Sequence, residues 1–198
     1  ILLSDRGKIK RLAGTEFAEL TNRGATLMKL KEGDCLRYWS WTREGEDVAI
    51  ATSGGRVLRF AVDDVQLPLM GRSAQGNQAT RLRTGEAAVG CTSFHLKNQL
   101  LVVSQFGYVK RIAPSEIRRA HRGDIGTQVL QFSHKRDRLV GMVLVPPEDK
   151  AVTLVTSTDR AIALPVKSVR LWKKDGLGDR IPKLKANEQI VELISPWH

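Results

Sequence analysis

The chain has 198 residues, 41% of them hydrophobic, with 32 Lys and Arg against 21 Asp and Glu and a net charge of +11. This length fits one domain or at most two, and the apolar share can bury a core, which excludes wholesale disorder. We expect neither a membrane span nor a secretory leader, because no apolar run approaches a span and no signal pattern opens the chain.

In chain order the first predicted element is an apolar strand, then a three-residue turn and a second strand. Because this strand begins almost at once and no Met precedes it, we expect a piece of a longer protein. The phrase returns three times, most plainly as Leu100–Ser104, Gln105-Phe106-Gly107 and Tyr108–Ile112. Its turns end in Gly7, Gly55, Gly107 and Asp159, which lie 48, 52 and 52 residues apart. Glycine, or an Asp that tolerates positive φ, at the third turn position fits a three-residue hairpin loop. Apolar residues stand two and five places beyond each turn: Ile9 and Leu12, Val57 and Phe60, Val109 and Ile112, Ala161 and Leu164. The places around them are largely basic (Lys8, Lys10, Arg11, Arg56, Arg59, Lys110, Arg111, Arg160), so we expect a half-buried strand with its cations in solvent. The spacing of two then three predicts a bulge in this strand.

A less regular stretch follows each hairpin, over residues 15–23, 63–75, 114–125 and 167–177, with a short helical turn predicted at Pro114-Ser115-Glu116. A second glycine then recurs at Gly24, Gly76, Gly126 and Gly178, and six residues beyond each stands Leu30, Leu82, Phe132 or Leu184. Strands are predicted here, as at 25–30 and 127–132. A polar turn (31–34, 83–86, 133–137, 185–188) leads to a last strand at 36–41, 88–93, 139–145 and 189–194. Four strands per copy, no long helix and a period near fifty residues mark the blades of a radial β architecture. The copies divide the chain near 1–46, 47–99, 100–150 and 151–198, as one continuous domain of four blades.

Net charge divides over these copies as +2, +2, +4 and +3. An excess spread over every repeat suits a polyanion that touches several blades in turn, and a merely basic soluble protein is the plainer alternative. Cys35 and Cys91 read as buried free thiols without zinc-site spacing. Trp39, Trp41, Trp172 and Trp197 read as core or blade-edge packing, and Tyr38 and Tyr108 as strand packing. No P-loop, Gly-x-Ser-x-Gly elbow or His-Glu-x-x-His helix occurs, so we expect no catalytic residue in this chain alone.

Three segments carry a family resemblance: Ser104-Gln105-Phe106-Gly107-Tyr108-Val109-Lys110-Arg111, Met70-Gly71-Arg72-Ser73-Ala74-Gln75-Gly76 and Arg122-Gly123-Asp124-Ile125-Gly126. They resemble the C-terminal domain of bacterial DNA gyrase A, and the paralogous domain of topoisomerase IV is similar. The resemblance implies a β-pinwheel, a propeller-like disc or spiral whose blades exchange a strand with their neighbours and bend DNA around a basic rim. It implies as partners double-stranded DNA, the ATPase subunit of the topoisomerase and the remainder of its A subunit. No membrane contact is implied, and the location would be cytoplasmic and chromosome-associated in a bacterium. No cofactor is expected in the domain itself; ATP and Mg are used elsewhere in the parent enzyme.

We expect phosphates to be neutralised, without sequence reading, by Lys8, Lys10, Arg11, Arg56, Arg59, Lys110 and Arg111 on the hairpins. The loops would add Arg23, Arg72, Arg118, Arg119, Arg122 and Arg180. Two departures stand out. The family domain commonly has more blades, often six. DNA gyrase A carries a Gln-Arg-Arg-Gly-Gly-Lys-Gly box, whereas the equivalent loops here end Asn22-Arg23-Gly24, Ala74-Gln75-Gly76, Asp124-Ile125-Gly126 and Gly176-Leu177-Gly178. Gyrase and topoisomerase IV both stay open as the parent, and a protein-interaction propeller scaffold is the competing class.

Overall fold

The computed structural model describes residues 1–18, 24–145, 150–182 and 184–196. Copy one supplies β1 (Leu2–Ser4), β2 (Lys8–Lys10) and β3 (Leu36–Trp39); copy two supplies β4 (Asp47–Thr52), β5 (Arg56–Ala61), β6 (Asn77–Gln78) and β7 (Ala88–Phe94). Copy three gives β8 (Leu100–Ser104), β9 (Tyr108–Ile112), β10 (Thr127–Gln128) and β11 (Leu139–Leu144). Copy four gives β12 (Ala151–Thr156), β13 (Ala161–Pro165), β14 (Leu171–Trp172), β15 (Asp179–Arg180) and β16 (Ile190–Ile194). The predicted turn at Pro114–Glu116 is a short 3-10 helix with Pro at its start, and others lie at Gly14–Phe17 and Val166–Ser168.

The sheets do not coincide with the copies. Their strand orders are β3-β1-β2-β6, β10-β5-β4-β7, β11-β8-β9-β14 with β15 also on β9, and β13-β12-β16. Each of the first three sheets therefore takes its far strand from the following copy, which is the exchange of a β-pinwheel. Asn77 pairs with Ile9, Thr127 with Val57 and Asp179 with Val109, always one residue past the second glycine and two past the turn.

Both sequence landmarks find their cause in this joint. The turn residues Gly7, Gly55, Gly107 and Asp159 hold φ of 77°, 80°, 84° and 58°. Three of the second glycines, Gly76, Gly126 and Gly178, lie against the preceding hairpin's backbone: a Cβ on Gly126 would meet Leu58 N at 2.8 Å, and one on Gly178 would meet Val109 O at 2.6 Å. Three residues further on, the N–H groups of Ala79, Val129 and Ile181 donate to the carbonyls of Gly7, Gly55 and Gly107 at 2.8, 2.9 and 2.9 Å. Leu82, Phe132 and Leu184 then cover those same turn glycines.

Three core clusters lie between successive sheets. Val48 and Ile50 pack toward Leu3 and Ile9, whereas Ala49 and Ala51 on the opposite face of β4 pack toward Leu100 and Val102. Leu101 and Val103 meet Val152 and Leu154 across the third interface. Both faces of β4 and β8 are thus buried, which is why they read as unbroken apolar runs. The inner strands β3, β7, β11 and β16 surround an axial cavity of about 550 Å³, lined by Tyr38, Cys91, Met142 and Leu193 among others. The exchanged strands, at the other edge of each sheet, form the rim.

Several sequence expectations change. Residues 24–30 form no strand, and the strand expected over 127–132 shrinks to β10. Register shifts fall where the first hairpin strand meets the last strand of its copy, as at Leu3/Ser4 and Val155/Thr156, while β2, β5, β9 and β13 pair regularly with their hairpin mates. Cys91 is buried but Cys35 is exposed. Trp39 and Trp41 lie on the surface in edge-to-face contact, and Phe17 joins them against Trp41. Trp197 and part of the loop after copy three lie outside the described residues.

Candidate nucleic-acid interface

The hairpin cations are mostly not in solvent, and this corrects the half-buried strand expected above. Lys10 and Lys110 have no exposed surface. Lys10 Nζ donates to the carbonyls of Leu27, Arg72 and Ala74 at 2.8, 2.8 and 3.1 Å. Lys110 Nζ donates to those of Lys173, Lys174 and Gly176 at 2.9, 2.9 and 2.8 Å. Each ammonium has three donors and each meets three acceptors, so nothing remains for a phosphate. Burial lowers the pKa of both, that of Lys110 to about 8.

The buried arginines serve the same joint. Arg56 pairs with Glu86 and donates to Ile125 O at 3.0 Å. Arg59 bonds Asp47 at 2.6 Å and Pro114 O at 2.8 Å, and Arg11 pairs with Asp64. These cations, predicted to reach phosphates, instead tie each hairpin to its neighbours. The physical reason is that loops of the following copy cover these hairpins, so a long side chain between apolar positions has only backbone and carboxylate partners.

The loop residues stay nearer the surface. Arg118, Arg119 and Arg180 are exposed, and Lys8, Arg72, Arg111 and Arg122 are partly so. Arg72 bonds Glu16 at 3.0 Å, Arg119 bonds Asp47 at 2.8 Å, and Arg122 holds the carbonyls of Gln66 and Gln78. Arg180 stands over the Tyr108 ring at 5.5 Å, and hydrogen bonds from Ser133 and then Arg180 lower the Tyr108 hydroxyl pKa. Arg23 lies outside the described residues.

Sequence reasoning missed a second set. The polar turns all fold alike, with Asp34, Glu86, Asp137 and Glu188 donating N–H to the carbonyls of Lys31, Arg83, His134 and Lys185. Lys31, Arg83, Lys135, Arg136 and Lys185 on these turns are exposed. On the first blade Arg6, Lys8, Lys29 and Lys31 surround one hollow; on the third, Lys135, Arg136 and Arg138 line another with Gln105 and Phe106. Four residues before the second glycine, Arg72, Arg122 and Lys174 recur at the opposite end of the exchanged strand. Cations therefore stand at both ends of the rim strand, blade after blade. The signal was in the sequence as a basic residue in each polar turn, at its first place in copies one, two and four and directly after His134 in copy three.

The family model for the DNA gyrase C-terminal domain, beta-propeller, matches residues 1–35, 46–94 and 98–146. The chain belongs to this family. It is 35% identical to the A subunit of DNA topoisomerase 4 from Synechocystis sp., over 98% of this chain and 23% of that protein. It is 26% identical to the A subunit of DNA gyrase from the same organism, over 99% of this chain and 27% of that protein. A solved DNA gyrase A C-terminal domain superposes with a TM-score of 0.80 at 29% identity, covering 97% of this chain and 63% of that one. The chain thus spans about a quarter of the length of these curated relatives. The family match stops before copy four, where Asp159 replaces the turn glycine and Ala163 replaces the hairpin arginine.

Proposed function

We propose that this domain binds duplex DNA through its phosphates and curves it along the rim, as the C-terminal wrapping domain in the A subunit of a type IIA topoisomerase. In the parent enzyme, of gyrase or topoisomerase IV type, it positions DNA for strand passage and supercoiling or decatenation, while ATP hydrolysis and strand cleavage belong to other parts of the assembly. One observation carries this reading: an exposed Lys or Arg stands in the polar turn of every copy, at the first residue of the turn in Lys31, Arg83 and Lys185 and directly after it, as Lys135 and Arg136, in copy three. The DNA-facing set becomes Lys31, Arg83, Lys135, Arg136 and Lys185 with Arg72, Arg118, Arg119, Arg122, Lys174 and Arg180.

Bending a 20–30 bp site by 40–90° costs on the order of 1–6 kcal/mol, so several blades must engage together. Mobility shift on random duplexes of increasing length tests this at two salt concentrations. Affinity should rise with length until the rim is covered, and about 6–10 phosphate contacts should cost roughly 10³–10⁵ in affinity between 50 and 200 mM salt. A domain that shifts no duplex at low salt is instead a protein-binding scaffold.

A further inference from the structure

Most hairpin cations recur from copy to copy, and the joints explain them. One polar cluster between copies two and three does not recur. Asp47 opens β4 eight residues before Gly55, and the same place holds Gln99 in copy three and Ala151 in copy four. Arg119 bridges in parallel to Arg59, whereas Leu69 and Leu171 make that bridge to Arg11 and Arg111. The third joint therefore forms with Gln and Leu at these two places. The architecture does not require this acid and this second arginine.

Asp47 gathers both cations. Its Oδ2 accepts from Arg59 Nε at 2.6 Å and its Oδ1 from Arg119 Nε at 3.0 Å. Arg59 is only 8% exposed and gives Nη1 to the carbonyls of Pro114 and Ile117 at 2.8 and 3.3 Å. Among the described residues, no acceptor takes a hydrogen bond from its Nη2. Its Cζ stands 5.9 Å from the centre of the Phe94 ring, which holds the guanidinium against an apolar surface.

These groups line a cavity of about 800 Å³ at the end of the second sheet remote from the Gly55 turn, away from the polar-turn cations. Leu96, 65% exposed, and Lys97 complete it from the turn between β7 and β8. That turn is already set: His95 N–H donates to Asn98 Oδ1 at 3.0 Å, and Asn98 N–H to His95 O at 2.9 Å. His95 Nε2 lies 3.2 Å from Glu46, an acid that also accepts from Ser93 Oγ at 2.6 Å and Arg43 N–H at 2.9 Å. Three cations against the Asp47 carboxylate leave the lining at +2. A phosphate monoester carries about −1.5 to −2 near pH 7 and offers several acceptor oxygens, which suit guanidinium forks.

We propose that this cavity binds a small organic phosphate monoester. Its oxygens take Arg59 Nη2, Arg119 and Lys97 Nζ, while its apolar body lies along Leu96. The volume is that of an ordinary small-molecule site. Arg119 also belongs to the DNA-facing set, so an occupied cavity would hold it away from the duplex. That consequence rests on the function proposed above; ligand binding itself does not.

Calorimetric titration of this chain, without DNA, tests the site with phenyl phosphate, inorganic phosphate and methyl phenyl phosphate. Phenyl phosphate should bind at a single site. Inorganic phosphate lacks the ring, and the diester is a monoanion like a DNA phosphate; each should bind about tenfold more weakly. Arg119→Leu, which copies the flanking pattern, and Lys97→Gln should each weaken phenyl phosphate about tenfold with an unchanged thermal melt. Leu96→Ser should weaken it about threefold. A chain that takes up no phenyl phosphate at millimolar concentration overturns the inference. So does uptake that Arg119→Leu and Lys97→Gln both leave intact, or a diester that binds as tightly as the monoester, which would give the cavity to DNA.

Discussion

The two middle sheets and the last sheet share a hairpin plan yet obey different burial rules. In β4 every residue is buried, whereas β12 and β13 alternate buried with partly or fully exposed positions. Val191 and Ile194 on β16, and Leu36 and Trp39 on β3, leave apolar surface open at the two ends. In the last sheet the exposed positions follow from lacking a neighbour on one side, while β1 of the first sheet stays buried throughout. Stability should accordingly concentrate in the middle sheets and their joints.

The largest effect is expected from adding one carbon at a joint. Gly126→Ala places a Cβ 2.8 Å from Leu58 N and 2.9 Å from Val57 O, at a φ of 82°. The cost should exceed about 4 kcal/mol, because a backbone clash is added to left-handed strain. Gly24→Ala meets no atom within 4 Å among the described residues and should cost only the strain, roughly 1–2 kcal/mol. Urea unfolding of both proteins measures the gap, and equal losses would break the contrast between a glycine packed on hairpin backbone and one that is not. Next in size, Leu100→Ala empties a fully buried site between the second and third sheets and should cost about 2–5 kcal/mol. Val191→Ala, at a position 53% exposed, should stay within about 0.5 kcal/mol.

The same contrast explains how much was legible in the residues. Gly7 with Leu82 and Gly55 with Phe132 are sequence landmarks because one covers the other across a joint, so the period and blade class could be read directly. The hairpin cations could not. Lys110 looks like a surface lysine in Tyr-Val-Lys-Arg until copy four folds its loop carbonyls over it, a partner more than sixty residues away. Polar turns hid their cations for the opposite reason: Lys31 and Arg83 stand alone beside acids, and only the shared fold of the turns aligns them. In copy four the strict alternation of β13 was visible and matches an end sheet.

A smaller effect separates the joints by chemistry. The joint of copies three and four holds the Lys110 ammonium, where the joint of copies two and three has Leu58. Burial lowers the Lys110 pKa from 10.5 to about 8. Between those values the unfolded chain keeps a proton that the folded chain has released, so stability rises as pH climbs through the window and is unaffected below it. Against Lys110→Met, the wild type should gain on the order of 1–3 kcal/mol between pH 8 and 10.5. Parallel pH profiles of the two proteins measure this gain, and profiles that run level would show that the carbonyl cage holds the ammonium charged throughout.

The smallest effect concerns the rim, where middle and end blades should behave alike. Lys31 lies on an end blade and Arg83 follows a strand exchanged between the first two, yet both stand exposed on equivalent turns. Each phosphate contact contributes about 0.9 to the slope of log affinity against log salt. Lys31→Gln and Arg83→Gln should therefore each flatten that slope by about 0.9 and weaken binding by less than about tenfold at moderate salt. Lys110→Met should leave the slope unchanged, because its ammonium is saturated by three carbonyls inside the joint. A slope that falls for Lys110→Met but not for the two turn variants would return the DNA path to the hairpins and remove the rim as its track.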